Sequence, residues 1–233
     1  MADAIKGVLF DKDGTLFDFN GTWNAWAKAT LVALAQGDAP RAAELGRLIG
    51  YDFAAGAFDP ASEVIAGTPD DIARLLAPGL PGRAMWEIEA ELNAKAAQAP
   101  QVEAVPLGPL LEELRGMGLK LGVATNDAEA PARAHLASVG HEAGFDFIAG
   151  YDSGHGGKPA PGMCLAFASQ MRLPAGQVVM VGDSTHDLLA GRAAGMRSVA
   201  VLTGMAGAEE LAPHASAVLP DIGHLPDWIR AQG

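Results

Sequence analysis

Cysteine is nearly absent from the 233-residue chain: Cys164 stands alone, which excludes an internal disulfide and suits a reducing compartment. Positive charge is scarce as well. Sixteen Lys and Arg face 28 Asp and Glu, for a formal net charge of -12. A field of that sign repels polyanions, so neither nucleic acid nor an anionic membrane is expected as a partner. An anionic small substrate stays compatible with it only where cations gather locally. No apolar run approaches the length of a membrane span. The start, "MADAIKGVLF", lacks the basic region and the long apolar stretch of a signal peptide, so a cytoplasmic location is expected. What is present, 49% hydrophobic and 19% charged residues, describes a soluble globular protein with one large domain, or one domain carrying a smaller insert.

Short apolar runs recur along the chain. "KGVLF" (6–10), "LKLGVAT" (119–125), "FDFIAG" (145–150), "QVVMVGD" (177–183) and "RSVAVL" (197–202) are continuous rather than alternating, as strands of a parallel sheet covered on both faces require. Helical spacing fills the intervals at 109–118, 130–140, 162–171 and 186–195, with Gly140 and Gly195 placed to close two of these helices. The alternation predicts an α/β fold with a doubly wound, Rossmann-like parallel sheet. One interval breaks the rhythm. From Phe19 to Pro106 the pattern reads as helices alone (21–36, 40–50, 68–77 and 82–98), the third opened by Thr68, Pro69 and two aspartates in its first turn. The expected organisation is therefore a core of residues 1–18 and 107–233 with an all-helical cap, 19–106, inserted after the first strand.

In such a sheet ligands sit beyond the carboxyl ends of the strands. The first strand exits into Asp11 and Asp13, the second into Thr125 and Asn126. The third leads to a loop bearing Lys158, and the fourth exits into Asp183 with Asp187 one helical turn on. Carboxylates, a hydroxyl and one ammonium delivered to a single rim suit magnesium and a phosphoryl group. Magnesium takes hard oxygen ligands, commonly carboxylates plus substrate phosphate. Thr125, loop N–H groups and Lys158 can meet the phosphate oxygens. Asp11 and Asp13 can then sit side by side because one binds metal and attacks phosphorus while the other carries protons.

"DKDGTL" (11–16), "VATND" (123–127), "GKPAP" (157–161) and "GDSTHD" (182–187) resemble, in order, the four motifs of the haloacid dehalogenase superfamily, and the insert resembles the helical cap of its phosphoglycolate-phosphatase-like members. The resemblance implies a phosphatase acting on a small phosphorylated metabolite of the phosphoglycolate type, with Mg²⁺ as cofactor. It implies Asp11 as nucleophile and metal ligand, and Asp13 as general acid/base that also meets the metal through its backbone carbonyl. Thr125, Asn126 and Lys158 would hold the phosphoryl group, Asp183 would ligate the metal, and Asp187 would support the site. Lys12 stands where a hydrophobic residue is frequent and is expected to leave both aspartates undisturbed.

Plainer readings stand beside these. Asp-x-Asp-Gly alone is more often a solvated turn, and it is the four-strand set that favours chemistry. Asp187 can equally cap its helix. His155 and His186 are expected as solvated loop residues, Cys164 as inert core, and Trp23 and Trp26 chiefly as cap packing. Arg41, Arg47, Arg74 and Arg83 are expected on the surface, although any of them is placed to read a substrate's far end. The rivals are a sugar phosphomutase using the same aspartates, a dehalogenase, against which Asp13 and Asp183 count, and, from another class, a receiver-type phosphoacceptor domain. The latter is disfavoured by the absence of a phosphorylatable aspartate ahead of Thr125.

Overall fold

The structure is a computed structural model that describes residues 4–232. In chain order its elements are β1 (Gly7–Phe10), α1 (Phe19–Leu34), α2 (Ala39–Leu48), β2 (Tyr51–Asp52), β3 (Ala57–Phe58), α3 (Pro69–Leu76) and α4 (Met85–Ala96). They continue with α5 (Leu107–Gly116), β4 (Lys120–Ala124), α6 (Glu129–Ser138), β5 (Phe147–Ala149), α7 (Gly162–Met171), β6 (Val178–Gly182) and α8 (Thr185–Ala193). The last are β7 (Arg197–Val201), α9 (Ala208–Leu211), β8 (Ala217–Leu219) and α10 (Leu225–Arg230). No helix among the described residues is long and apolar enough to cross a membrane.

Six strands form one sheet in the order β5-β4-β1-β6-β7-β8, and every pairing is parallel. The side chains show why the strand sequences are continuous apolar runs. Val8 and Phe10 of β1 join one core cluster with Leu111 and Leu114 of α5 and Leu136 of α6. Leu9 points the other way, into a cluster with Met163 and Phe167 of α7 and Met180 of β6. With both faces covered, every position of β1 and β6 is an interior position. The register then fixes the rim. Phe10 is level with Val123 of β4 and Val181 of β6, so Asp11, Thr125 and Asp183 emerge at the same edge of the sheet.

Helices α1 to α4 have an apolar cluster of their own, which includes Trp26, Leu31, Leu45, Leu76 and Ile88. Thr68 caps α3 as the sequence suggests. Its Oγ1 accepts from Asp71 N (3.3 Å) while Asp71 Oδ2 accepts from Thr68 N (3.0 Å). The two passages into and out of this segment run side by side: Asp18 N donates to Val102 O (2.8 Å) and Ala104 N to Leu16 O (2.9 Å).

Two elements depart from the sequence reading. The 19–106 segment is not purely helical, because β2 and β3 pair as a short antiparallel hairpin, Tyr51 opposite Phe58. Asp52 makes the turn by accepting from the N–H groups of Ala54 and Ala55 (2.9 Å each). Strands of two residues are too short to leave a period. The sixth strand, β8, was not anticipated either. It is three half-buried residues at the sheet edge and lacks the apolar run of its neighbours.

Candidate active site

Lys158 organises the rim. Its ammonium donates to Asp11 Oδ1 (2.5 Å), Asp187 Oδ1 (2.6 Å) and the carbonyl oxygen of Ala124 (2.8 Å), so all three protons are placed. Burial works against the charged amine, but Asp11 and Asp187 more than offset it and raise its pKa. The loop that carries Lys158 is held by Asn126, whose Oδ1 accepts from Lys158 N (2.7 Å) and whose Nδ2 donates to Lys158 O (2.9 Å) and Ala66 O (2.8 Å). Asn126, expected to bind substrate, thus has its amide committed to bracing the lysine loop against the segment before α3.

Carboxylate oxygens of Asp11, Asp183 and Asp187 lie within 4.8 Å of one another, all buried. Three carboxylates against one ammonium leave the cluster short of positive charge. Burial, above all, and the neighbouring carboxylates push Asp11 up to about 7 and raise Asp183 well above its ordinary range, with Lys158 opposing in both cases. Among the described residues, Asp183 receives only the Thr15 hydroxyl (3.3 Å) as a side-chain donor. Backbone closes round it. A Cβ on Gly14, which has φ +80°, would stand 2.4 Å from Asp183 Oδ2, and one on Gly204 only 1.6 Å. Both positions therefore need glycine.

Asp187 both caps its helix and faces the cluster. Its Oδ2 accepts from Ser184 N (3.0 Å) and Ser184 Oγ (2.7 Å) in the cap of α8, while Oδ1 holds Lys158. It is Asp187, rather than the side chain of Asp13, that completes the converging trio. Thr125 Oγ1 accepts from Asp127 N (3.1 Å), which leaves its hydroxyl proton to donate into the site.

Asp13 answers to Lys12, which corrects the expectation that Lys12 is a bystander. Lys12 is fully buried. It donates to Asp13 Oδ1 (2.7 Å) and His135 Nδ1 (2.9 Å), and pairs with Asp127 Oδ2 (3.3 Å). His135 Nε2 donates to Ala96 O (2.6 Å), which fixes the tautomer, and burial with the Lys12 charge pushes the ring down to about 4. Burial raises Asp127 to about 6 against the pull of Lys12. This second cluster was missed because His135 lies in a helix with nothing in the sequence to bring it to residue 12. Removing Lys12 should strand the buried Asp127 carboxylate and the half-buried Asp13. Lys12→Met is expected to cost about 3 kcal/mol in chemical denaturation at neutral pH, and less near pH 5, where Asp127 takes a proton. An unchanged midpoint would show that the pair carries no weight.

The remaining expectations sort cleanly. His186 lines the cavity over the site, and His155 does not. Burial pushes the Cys164 thiol up to about 12, which leaves it inert. Trp23 and Trp26 both line the cavity, and their rings meet edge to face at 5.0 Å. The four arginines do not line it. Arg41 donates to Gly79 O, Arg74 pairs with Asp70 and Asp71, Arg83 with Glu91, and Arg47 is exposed.

A doubly wound sheet with this cluster at the carboxyl ends of its strands, and a largely helical segment inserted after the first of them, is the arrangement of a haloacid dehalogenase-like hydrolase. The chain belongs to that family, whose model matches residues 5–195. It is 35% identical over 120 residues to a phosphoglycolate phosphatase of Rhodospirillum rubrum, covering 52% of this chain and 50% of that protein. It is 29% identical over 210 residues to the pyrophosphatase PpaX of Bacillus pumilus, covering 90% and 89%. The match spans about half the length of the first of these relatives. Among solved structures, CbbY from Rhodobacter sphaeroides in complex with phosphate superposes with a TM-score of 0.71 at 24% identity, covering 95% of this chain and 96% of that one.

Proposed function

We propose that the protein is a magnesium-dependent phosphatase that hydrolyses a small phosphomonoester through an aspartyl-phosphate on Asp11. The observation that carries this reading is the charge balance of the rim: three converging buried carboxylates, one ammonium, and Asp183 with no cationic partner among the described residues. Asp11, Asp183 and Asp187 offer hard oxygen donors that fit a divalent cation. When bound, magnesium would neutralise phosphate charge and polarise phosphorus–oxygen bonds.

The chain's own groups supply the steps. Substrate phosphate oxygens meet the Thr125 hydroxyl, with the Lys158 charge beside Asp11. A carboxylate oxygen of Asp11 bonds to phosphorus as the bond to the leaving oxygen breaks, and Asp13 gives that oxygen its proton. Asp13 then takes a proton from water, the water oxygen bonds to phosphorus, and the acyl phosphate breaks to inorganic phosphate and the Asp11 carboxylate. In this reading residues 19–106 serve as a cap over the site and exclude bulk water, with 1–18 and 107–233 as the core. Phosphoglycolate is the substrate class that the Rhodospirillum rubrum relative's name suggests, but the cavity wall described below argues against a substrate with a carboxylate as second anion in this chain.

Phosphate release from a panel of phosphomonoesters, with and without magnesium, tests the reading. Release that depends on the metal is expected. Full turnover in excess chelator would overturn the metal assignment, and transfer of the phosphoryl group to a second sugar hydroxyl without release would make the protein a mutase.

Stability gives an independent readout. Asp11 rises from an ordinary value near 3.8 to about 7, so its proton stabilises the metal-free fold fully below pH 3.8, and that contribution is lost as pH rises through about 7. A cation takes the proton's place. The increase in Tm on adding magnesium should therefore be larger at about pH 8 than at about pH 5. No increase at either pH, or the reverse order, would contradict a metal held by these carboxylates.

A further inference from the structure

Resting on the phosphatase reading, we propose that the site selects phosphomonoesters whose organic group is uncharged and largely apolar, and discriminates against those carrying a second anion such as a carboxylate. The cavity has two unlike ends. At the sheet rim stand the carboxylates, Thr125 and Lys158. The opposite wall is built by the inserted segment from Trp23, Trp26, Phe58, Ile65, Ile72 and Leu92. Among the described residues that line the cavity, Lys158 is the single lysine or arginine, and its protons are placed on Asp11, Asp187 and Ala124 O. The one other residue there that can carry positive charge is His186, in the first turn of α8.

A substrate's second anion would thus leave water for a wall of rings and aliphatic chains with no cation to meet it. Burying an unpaired carboxylate costs far more than burying an uncharged group of the same shape. An apolar group gains from the same wall, and a flat ring gains further from aromatic neighbours packed edge to face. The cap arginines cannot repair the deficit, since none lines the cavity and Arg41, Arg74 and Arg83 have partners elsewhere.

The wall does hold polar atoms, and they are neutral. The indole Nε1 atoms of Trp23 and Trp26 and Oδ1 of Asn93 are buried without a hydrogen-bond partner. None of them adds a positive charge to the wall, so a second anion still finds no cation there.

The test uses two esters that differ in charge and hardly in shape, 4-carbamoylbenzyl phosphate and 4-carboxybenzyl phosphate, together with the matching non-hydrolysable benzylphosphonates. With the full chain and magnesium, kcat/KM for the carboxamide ester is expected to exceed that for the carboxylate by at least about tenfold. The carboxamide phosphonate should bind tighter by a similar factor in calorimetry. Equal values, a preference for the carboxylate through His186, or no measurable binding of the carboxamide phosphonate would overturn the inference. If neither ester is hydrolysed but the phosphonates bind in the expected order, the phosphatase reading falls and the assignment of the wall stands.

Discussion

Asp11→Asn should abolish phosphate release, with a loss of at least about 10⁴-fold in kcat, the scale on which deleting a nucleophile silences an enzyme. The amide nitrogen cannot attack phosphorus, and the amide oxygen is too weak a nucleophile to replace a carboxylate. Folding should survive. Lys158 keeps its bonds to Asp187 and Ala124 O, and an amide oxygen at position 11 can still accept the third proton. The substitution also removes one of the three converging carboxylates, so magnesium should raise Tm less than in the parent protein. Thermal melts and a phosphate assay on one preparation check both halves. Retention of more than about a tenth of the activity would remove Asp11 from the nucleophile's role.

Asp13→Asn should fail differently. The side-chain shape is kept, and the amide oxygen can still accept from Lys12, which retains His135 and Asp127. Substrate binding and phosphorylation of Asp11 should persist. What is lost is a group able to give and take a proton, worth roughly 10²–10⁴-fold. The loss should depend on the leaving group. A phenolate such as p-nitrophenolate departs with little protonation, so with that ester the first step suffers less than the attack of water that follows. The phosphoenzyme should then accumulate. Equal behaviour of the two asparagine variants on every ester would mean that the aspartates do not divide the labour as proposed.

Much of the fold was legible because it follows from periodicity and burial. Five strands covered on both faces wrote themselves as continuous apolar runs, and the rim residues could be read as whatever followed each run. The order of strands put Asp11, Thr125 and Asp183 at one edge. What escaped was of another kind. The β2–β3 hairpin and β8 are too short to leave a pattern. Lys12 looked incidental because its meaning lies in contacts with His135 and Asp127, more than a hundred residues away and set by how α6 packs. Asn126 carried the right motif but spends its amide on the lysine loop, which no spacing reveals. The character of the cavity wall was hidden for the same reason. Trp23, Phe58, Ile72 and Leu92 come from separate elements, and only their assembly shows an apolar surface without a cation.

Covalent phosphate on Asp11 is the central claim, and the sequence makes it directly measurable. Lys6 and Lys12 flank the peptide "GVLFDK" (7–12), and cleavage after Lys12 separates Asp11 from Asp13, which begins the peptide 13–28. The Asp13→Asn protein is mixed with p-nitrophenyl phosphate and magnesium, quenched, and reduced with borohydride, which converts an acyl phosphate of aspartate to homoserine. Trypsin digestion and mass spectrometry then locate the change. Homoserine in peptide 7–12, and none when Asp11 is also replaced by Asn, is the expected result. Homoserine in another peptide, or turnover without any reducible acyl phosphate, would contradict the account.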